Sequence, residues 1–102
     1  MGALIKVAEK KDLLVGKAMT VEVNGNKIAL FNVNDKYYAI DDTCTHAGGP
    51  LSEGEVKGTT VTCPWHGAEF NITNGEVLGE PAPEGVKSYK VHIEGEEIKI
   101  ES

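Results

Sequence analysis

The sequence predicts an all-β protein, and three observations carry that expectation. Apolar residues recur at a spacing of two along most of the chain, as at Met19, Val21 and Val23, or at Tyr89, Val91 and Ile93. Short turn signals separate these stretches: Asn24-Gly25, Asn34-Asp35, Asn74-Gly75 and Glu94-Gly95. A sustained helical stripe is missing, and one short helical turn near Lys10 to Leu14 is the only departure from strand and loop.

Taken in order, Ala3 to Ala8 reads as a first strand, and Glu9 to Asp12 as a polar turn. Lys17 to Val23 alternates, with Met19, Val21 and Val23 on one face and Ala18, Thr20 and Glu22 on the other. Asn24-Gly25 is the strongest hairpin signal in the chain. Lys27 to Val33 is apolar on both faces, as a buried central strand would be. Lys36 to Ile40 follows, with Tyr37 and Tyr38 as good strand residues. Glu53 to Val56 and Thr59 to Thr62 form a hairpin about Lys57-Gly58, and Glu69 to Ile72 pairs with Glu76 to Leu78. These two hairpins are expected to carry two loops side by side, Thr43 to Leu51 and Cys63 to Ala68. Pro81-Ala82-Pro83-Glu84-Gly85 is a rigid crossing segment. The last pair is Ser88 to Glu94, with Tyr89, Val91 and Ile93 inward, and Glu96 to Ile100, with Ile98 and Ile100 inward.

The chain of 102 residues makes one domain, and its 40% apolar and 25% charged residues are ordinary for a globular protein. All ten basic residues are lysine, and the net charge is −6. That balance argues against nucleic acid, whose phosphates call for clustered arginine and lysine. It argues equally against an anionic membrane surface. An acidic surface suits solubility and steering toward basic docking faces. The segment from Met1 to Val7 lacks a leader or twin arginine, and no apolar run reaches membrane length, so the expected location is cytoplasmic.

Chemistry concentrates between Cys44 and His66. Cys44-Thr45-His46 and Cys63-Pro64-Trp65-His66 hold both cysteines and two of the three histidines, with sixteen residues between His46 and Cys63. Two thiolates and two imidazoles suit a tetrahedral zinc, and they equally suit a two-iron, two-sulfide cluster with cysteines on one iron and histidines on the other. Ligand softness does not separate the two. The flanks favour the cluster, because Gly48-Gly49-Pro50, Pro64 and Gly67 make loops that can wrap backbone around an object larger than one ion. A disulfide between the two cysteines is the competing use, but both already stand in ligand boxes. His92, on the polar face of a strand and far from any cysteine in sequence, reads as exposed and unrelated to the metal. Asp41 and Asp42 read as turn and solvated charge rather than ligands.

Cys44-Thr45-His46 with Gly48, and Cys63-Pro64-Trp65-His66-Gly67 with Phe70, resemble the two signature boxes of Rieske-type [2Fe-2S] ferredoxins, and length and strand pattern agree over nearly the whole chain. The resemblance implies a Rieske-like fold: an antiparallel β-sandwich base, residues 1–41 and 80–102, with a small β cluster-binding subdomain at one tip, residues 42–79. It implies Cys44, His46, Cys63 and His66 as the cluster ligands. Trp65, Ala47, Pro50 and Leu51 would shield the cluster and offer an apolar docking rim. Gly48, Gly49 and Gly67 would let backbone N–H groups approach sulfur.

The function so implied is a soluble one-electron carrier, a monomer that takes electrons from a reductase and delivers them to a terminal oxygenase or a similar acceptor. A small subunit of a nitrite-reductase-like complex and a zinc-binding interaction module are the alternatives. Oxygenase catalytic subunits of this type need a second domain with a mononuclear iron, and only His92 is left to ligate one. Respiratory members carry a disulfide across the two loops, where Gly49 and Trp65 stand here. High-potential members place a serine and a tyrosine two and four residues after the second histidine, positions held here by Ala68 and Phe70. The resemblance therefore implies a potential near the low end of the Rieske range.

Overall fold

A computed structural model describes residues 4–43, 50–65, 67–79 and 85–101. Eleven strands are described: β1 (Leu4–Glu9), β2 (Ala18–Val23), β3 (Asn26–Val33), β4 (Lys36–Asp41), β5 (Glu55–Lys57), β6 (Thr60–Thr62), β7 (Glu69–Asn71), β8 (Val77–Gly79), β9 (Ser88–Tyr89), β10 (Val91–Glu94) and β11 (Glu97–Glu101). They form three antiparallel sheets, ordered β1-β11-β10, β2-β3-β4-β9 and β5-β6-β7-β8.

The middle sheet is the one to which both others are fitted. Along β3, Ile28 and Leu30 enter one core with Ala8, Val21, Val23, Ala39, Ile98 and Ile100. The intervening Ala29 and Phe31 enter a second core with Ile40, Leu51, Val61, Cys63, Phe70 and Ile72. A strand alternates its side chains between faces, so one apolar run serves two layers. The expected two-sided burial of Lys27 to Val33 is thus borne out, and its cause is a sheet packed against each face.

The hairpin turns follow their residues. Asn24 and Gly25 both have positive φ, 52° and 82°, as the tight turn matched to strand twist requires. Asn34 and Asp35 repeat that geometry at 53° and 67°. The helical turn expected near Lys10 is a 3₁₀ turn, Lys10–Asp12. A second 3₁₀ turn, Leu51–Glu53, lies where the sequence predicts the end of the first loop and the start of a strand. Pro50 precedes it and Gly54 ends it, the residues that open and stop such a turn.

Ser88 to Glu94 departs from its single-strand expectation. The chain breaks at Lys90: β9 pairs with β4 in the middle sheet, whereas β10 pairs with β11 in the outer one. Ile93, expected inward, is 38% exposed although its partner Ile98 is fully buried, because β10 is the edge strand of its sheet and Ile93 lies at its end. His92, expected on the exposed face, is only half exposed and lies 3.2 Å from the Glu101 carboxylate.

Candidate metal centre

The two ligand loops begin and end on different elements. The second loop closes the hairpin between β6 and β7. The Cys63 N–H donates to the Ala68 carbonyl at 2.7 Å, and the Gly67 N–H donates back to the Cys63 carbonyl at 3.1 Å. Gly67 has φ +77°, the left-handed region that a glycine enters freely. Cys63 is 2% exposed and Ala68 is fully buried, both in the core with Val61 and Phe70.

The first loop instead bridges two sheets. It leaves β4 at Asp41 and returns through the 3₁₀ turn to β5. Thr43 and Pro50 form an isolated antiparallel bridge across its neck, and the Leu51 N–H donates to the Asp42 carbonyl at 2.6 Å. Asp42, expected as solvated charge, is 4% exposed, and its carboxylate accepts the Ser52 N–H at 2.8 Å and the Thr20 hydroxyl at 3.2 Å. A buried carboxylate persists only when donors meet it, and these two do. Leu51, expected both to shield the site and to border a docking rim, is fully buried in the core with Cys63 and Phe70 and offers no rim, because the 3₁₀ turn directs it inward.

Gly54 brings the two halves together. A Cβ at this position would run into the Thr62 carbonyl oxygen, so only glycine allows this approach. Glu55 then pairs with Thr62, the residue before Cys63. The exit of the first loop is thereby held against the strand that leads into the second.

Asp41 is also held rather than free in solvent. Its Oδ1 accepts the Tyr89 hydroxyl at 2.5 Å, and its Oδ2 accepts the Lys87 N–H at 3.3 Å. The Tyr89 phenol is pushed up to about 12, first by burial and then by the bond to, and charge of, Asp41. The Lys87 ammonium lies 5.1 Å from the centre of the Tyr89 ring.

Of the four expected ligands, Cys63 is placed at the mouth of the β6–β7 hairpin, whereas Cys44, His46 and His66 lie outside the described residues, as do Ala47, Gly48 and Gly49. Among the described residues, no three His, Cys, Asp or Glu side chains converge as a metal site. Trp65, beside His66, is 57% exposed, and Pro50 is half buried. The seat of Cys63 fits a cluster ligand: its backbone is fixed, and the apolar side chains of Leu51, Val61 and Phe70 stand in the same core. His92 lies on β10 in the outer sheet, apart from the loops, as expected. Sequence reasoning missed Asp42, Thr20 and Ser52. The one available signal was an acidic pair directly before a ligand box, which looks the same whether the charge is solvated or buried.

Comparison with known proteins bears on the whole chain. Residues 3–90 match the Rieske [2Fe-2S] domain. The naphthalene 1,2-dioxygenase system ferredoxin component of Pseudomonas putida is 33% identical over 97 residues, covering 95% of this chain and 93% of that protein. The 3-phenylpropionate/cinnamic acid dioxygenase ferredoxin subunit of Shigella boydii serotype 4 is 40% identical over 91 residues, covering 88% of this chain and 85% of that protein. The solved ferredoxin of carbazole 1,9a-dioxygenase from Nocardioides aromaticivorans IC177 superposes with a TM-score of 0.92 at 27% identity, over 96% of both chains. The choice between zinc and a two-iron cluster, open on ligand spacing alone, is settled in favour of the cluster. With the fold, the seat of Cys63 and the match all in agreement, the chain belongs to the Rieske [2Fe-2S] domain family.

Proposed function

We propose that this protein is a one-electron carrier that takes electrons from a reductase and delivers them to a terminal oxygenase or a similar acceptor. The observation that carries the reading is the match, over 88% to 95% of the chain, to the ferredoxin components of dioxygenase systems. The cluster supplies reversible uptake of a single electron. Cys44 and Cys63 would hold one iron, and His46 and His66 the other.

The chain's own residues then divide the remaining tasks. Leu51, Val61 and Phe70 keep water from the inner side of the site, and Cys63 brings its thiolate there on a fixed backbone. Trp65 offers an exposed apolar face beside His66, where a partner could dock close to the ligand edge. The division into a cluster-binding part, residues 42–79, and a base, residues 1–41 and 80–102, is supported by the separate sheet β5-β6-β7-β8 and by the closed neck at Asp42. No helix among the described residues is long and apolar enough to cross a membrane. We place the carrier in the cytoplasm as a monomer beside its redox partners.

The test is direct. Purified protein is expected to contain two irons and two labile sulfides per chain, and to be reduced by one electron. Chemically reduced protein should then be reoxidised by a terminal oxygenase faster than by oxygen alone. One zinc without sulfide, or reoxidation that no oxygenase accelerates, would overturn the reading.

A further inference from the structure

Asp42 and Asn32 are the two polar side chains buried among the described residues. Asn32 is spent on local structure: its amide donates to the Leu13 carbonyl, and its oxygen accepts the Asp35 N–H. Asp42 has a different address. It follows the end of β4 and stands two residues before Cys44, so covalent geometry alone keeps their Cα atoms within about 7 Å.

Its bonds tie four segments together. Backbone groups link it to β3 through the Lys27 carbonyl, at 3.1 Å, and to the 3₁₀ turn through the Leu51 N–H. The side chain adds the Ser52 N–H on one oxygen and the Thr20 hydroxyl of β2 on the other. Thr20 Oγ1 lies 2.6 Å from Ser52 Oγ. A carboxylate only accepts, so Thr20 donates to Asp42 and Ser52 in turn donates to Thr20, a chain of bonds that polarise one another in one direction. These donors are neutral. The two charged side chains that line the adjoining cavity with Asp42, Lys27 and Glu53, are opposite in sign.

We propose that Asp42 is a positioning residue for the cluster: it clamps the neck of the first ligand loop, and its buried charge poises the cluster toward the oxidised state. The proposal rests on the assignment of Cys44 and His46 as ligands of that loop. A negative charge near the cluster disfavours an added electron, and burial preserves the effect against the screening that weakens surface charges. The two functions are inseparable in the native protein, since the bonds that fix the loop are the ones that hold the charge.

Two substitutions separate them. Asp42→Asn keeps the shape and removes the charge. Thr20→Val keeps the charge and removes one donor to it. Iron and sulfide content and the visible spectrum are read first on the parent, so failure of the cluster assignment shows itself there independently. Potentials are then measured by protein-film voltammetry. Asp42→Asn is expected to raise the potential by on the order of tenfold in the reduction equilibrium, about 59 mV for a one-electron couple. Thr20→Val is expected to lower it by less, because the carboxylate loses a compensating dipole. A loaded Asp42→Asn protein whose potential is unchanged or lower overturns the proposal. If Asp42→Asn does not load, Thr20→Val decides: a lower potential supports the proposal, and an unchanged or higher one overturns it. Loss of the cluster in both variants would identify a purely structural clamp and would also overturn it.

Discussion

The two ligand loops are fastened by different means. The second is a hairpin loop, closed by backbone bonds between Cys63 and Ala68 and set in apolar packing. The first spans two sheets; its neck has one backbone bridge, Thr43 to Pro50, and the Leu51 N–H to Asp42 carbonyl bond, and a buried carboxylate reinforces them by accepting the Ser52 N–H and the Thr20 hydroxyl. A hairpin brings its own ends together, so backbone and core suffice there. A loop that starts on one sheet and ends on another has only an isolated bridge in place of a ladder, and side chains must reinforce the closure. One loop is therefore sensitive to volume and the other to hydrogen-bonding chemistry.

Leu51→Ala is the strongest way to break this contrast, because Leu51, at the exit of the first loop, is fully buried in one core with Cys63 and Ala68 of the second. Removing it should cost about 2–5 kcal/mol, read as a lower denaturation midpoint. If that cost is below about 1 kcal/mol, the two loops do not share the packing described. The next effect falls on the second loop alone. Ala68 and Phe70 are fully buried and offer no hydroxyl, so Ala68→Ser together with Phe70→Tyr should raise the potential by on the order of a hundred millivolts, as each new donor stabilises the more negative reduced cluster. The same hydroxyls would stand without a cluster to accept them in metal-free protein and should destabilise it. A downward shift with the cluster intact would show that these positions do not set the potential. Gly54→Ala tests the joint between the loops. Its Cβ would press on the Thr62 carbonyl, with an expected cost of about 1–3 kcal/mol and accelerated loss of iron.

Tyr89→Phe is the smallest, removing one bond to Asp41 at about 0.5–1.5 kcal/mol. Its pH dependence has a definite sign. The folded phenol titrates near 12 against an ordinary 10.0. The bond therefore contributes fully below about pH 10, and its contribution is lost as pH rises toward 12. Alkaline denaturation should be less steep across that window in Tyr89→Phe, and parallel curves for the two proteins would count against the Tyr89–Asp41 bond.

Local chemistry explains which of these features could be foreseen. Asn24-Gly25 specifies its turn by the positive φ it tolerates, and Ile28 to Phe31 announce a strand without a wet face. The ligand boxes could be read because cysteine and histidine recur at short spacing with glycine and proline around them. The break at Lys90 could not, since alternation looks continuous whether one sheet or two receive the strand. The burial of Asp42 and Leu51 is hidden from the sequence for a related reason. Both owe their burial to Pro50-Leu51-Ser52-Glu53 coiling as a 3₁₀ turn, which brings Ser52 to Asp42 and turns Leu51 inward. Three residues of turn carry too few repeats to show a period.

The alternation along β3 has a consequence for how the protein opens. Its backbone amides are covered by a layer on each side, so they should be among the last to exchange with deuterated solvent. Stripping the metal would loosen the layer built from β5 to β8, while the layer formed by β1, β10 and β11 still covers the other face. Exchange should then quicken at Val61 and Phe70, and Ile28 and Leu30 should remain protected, so that losing the cluster leaves a folded platform ready to receive another.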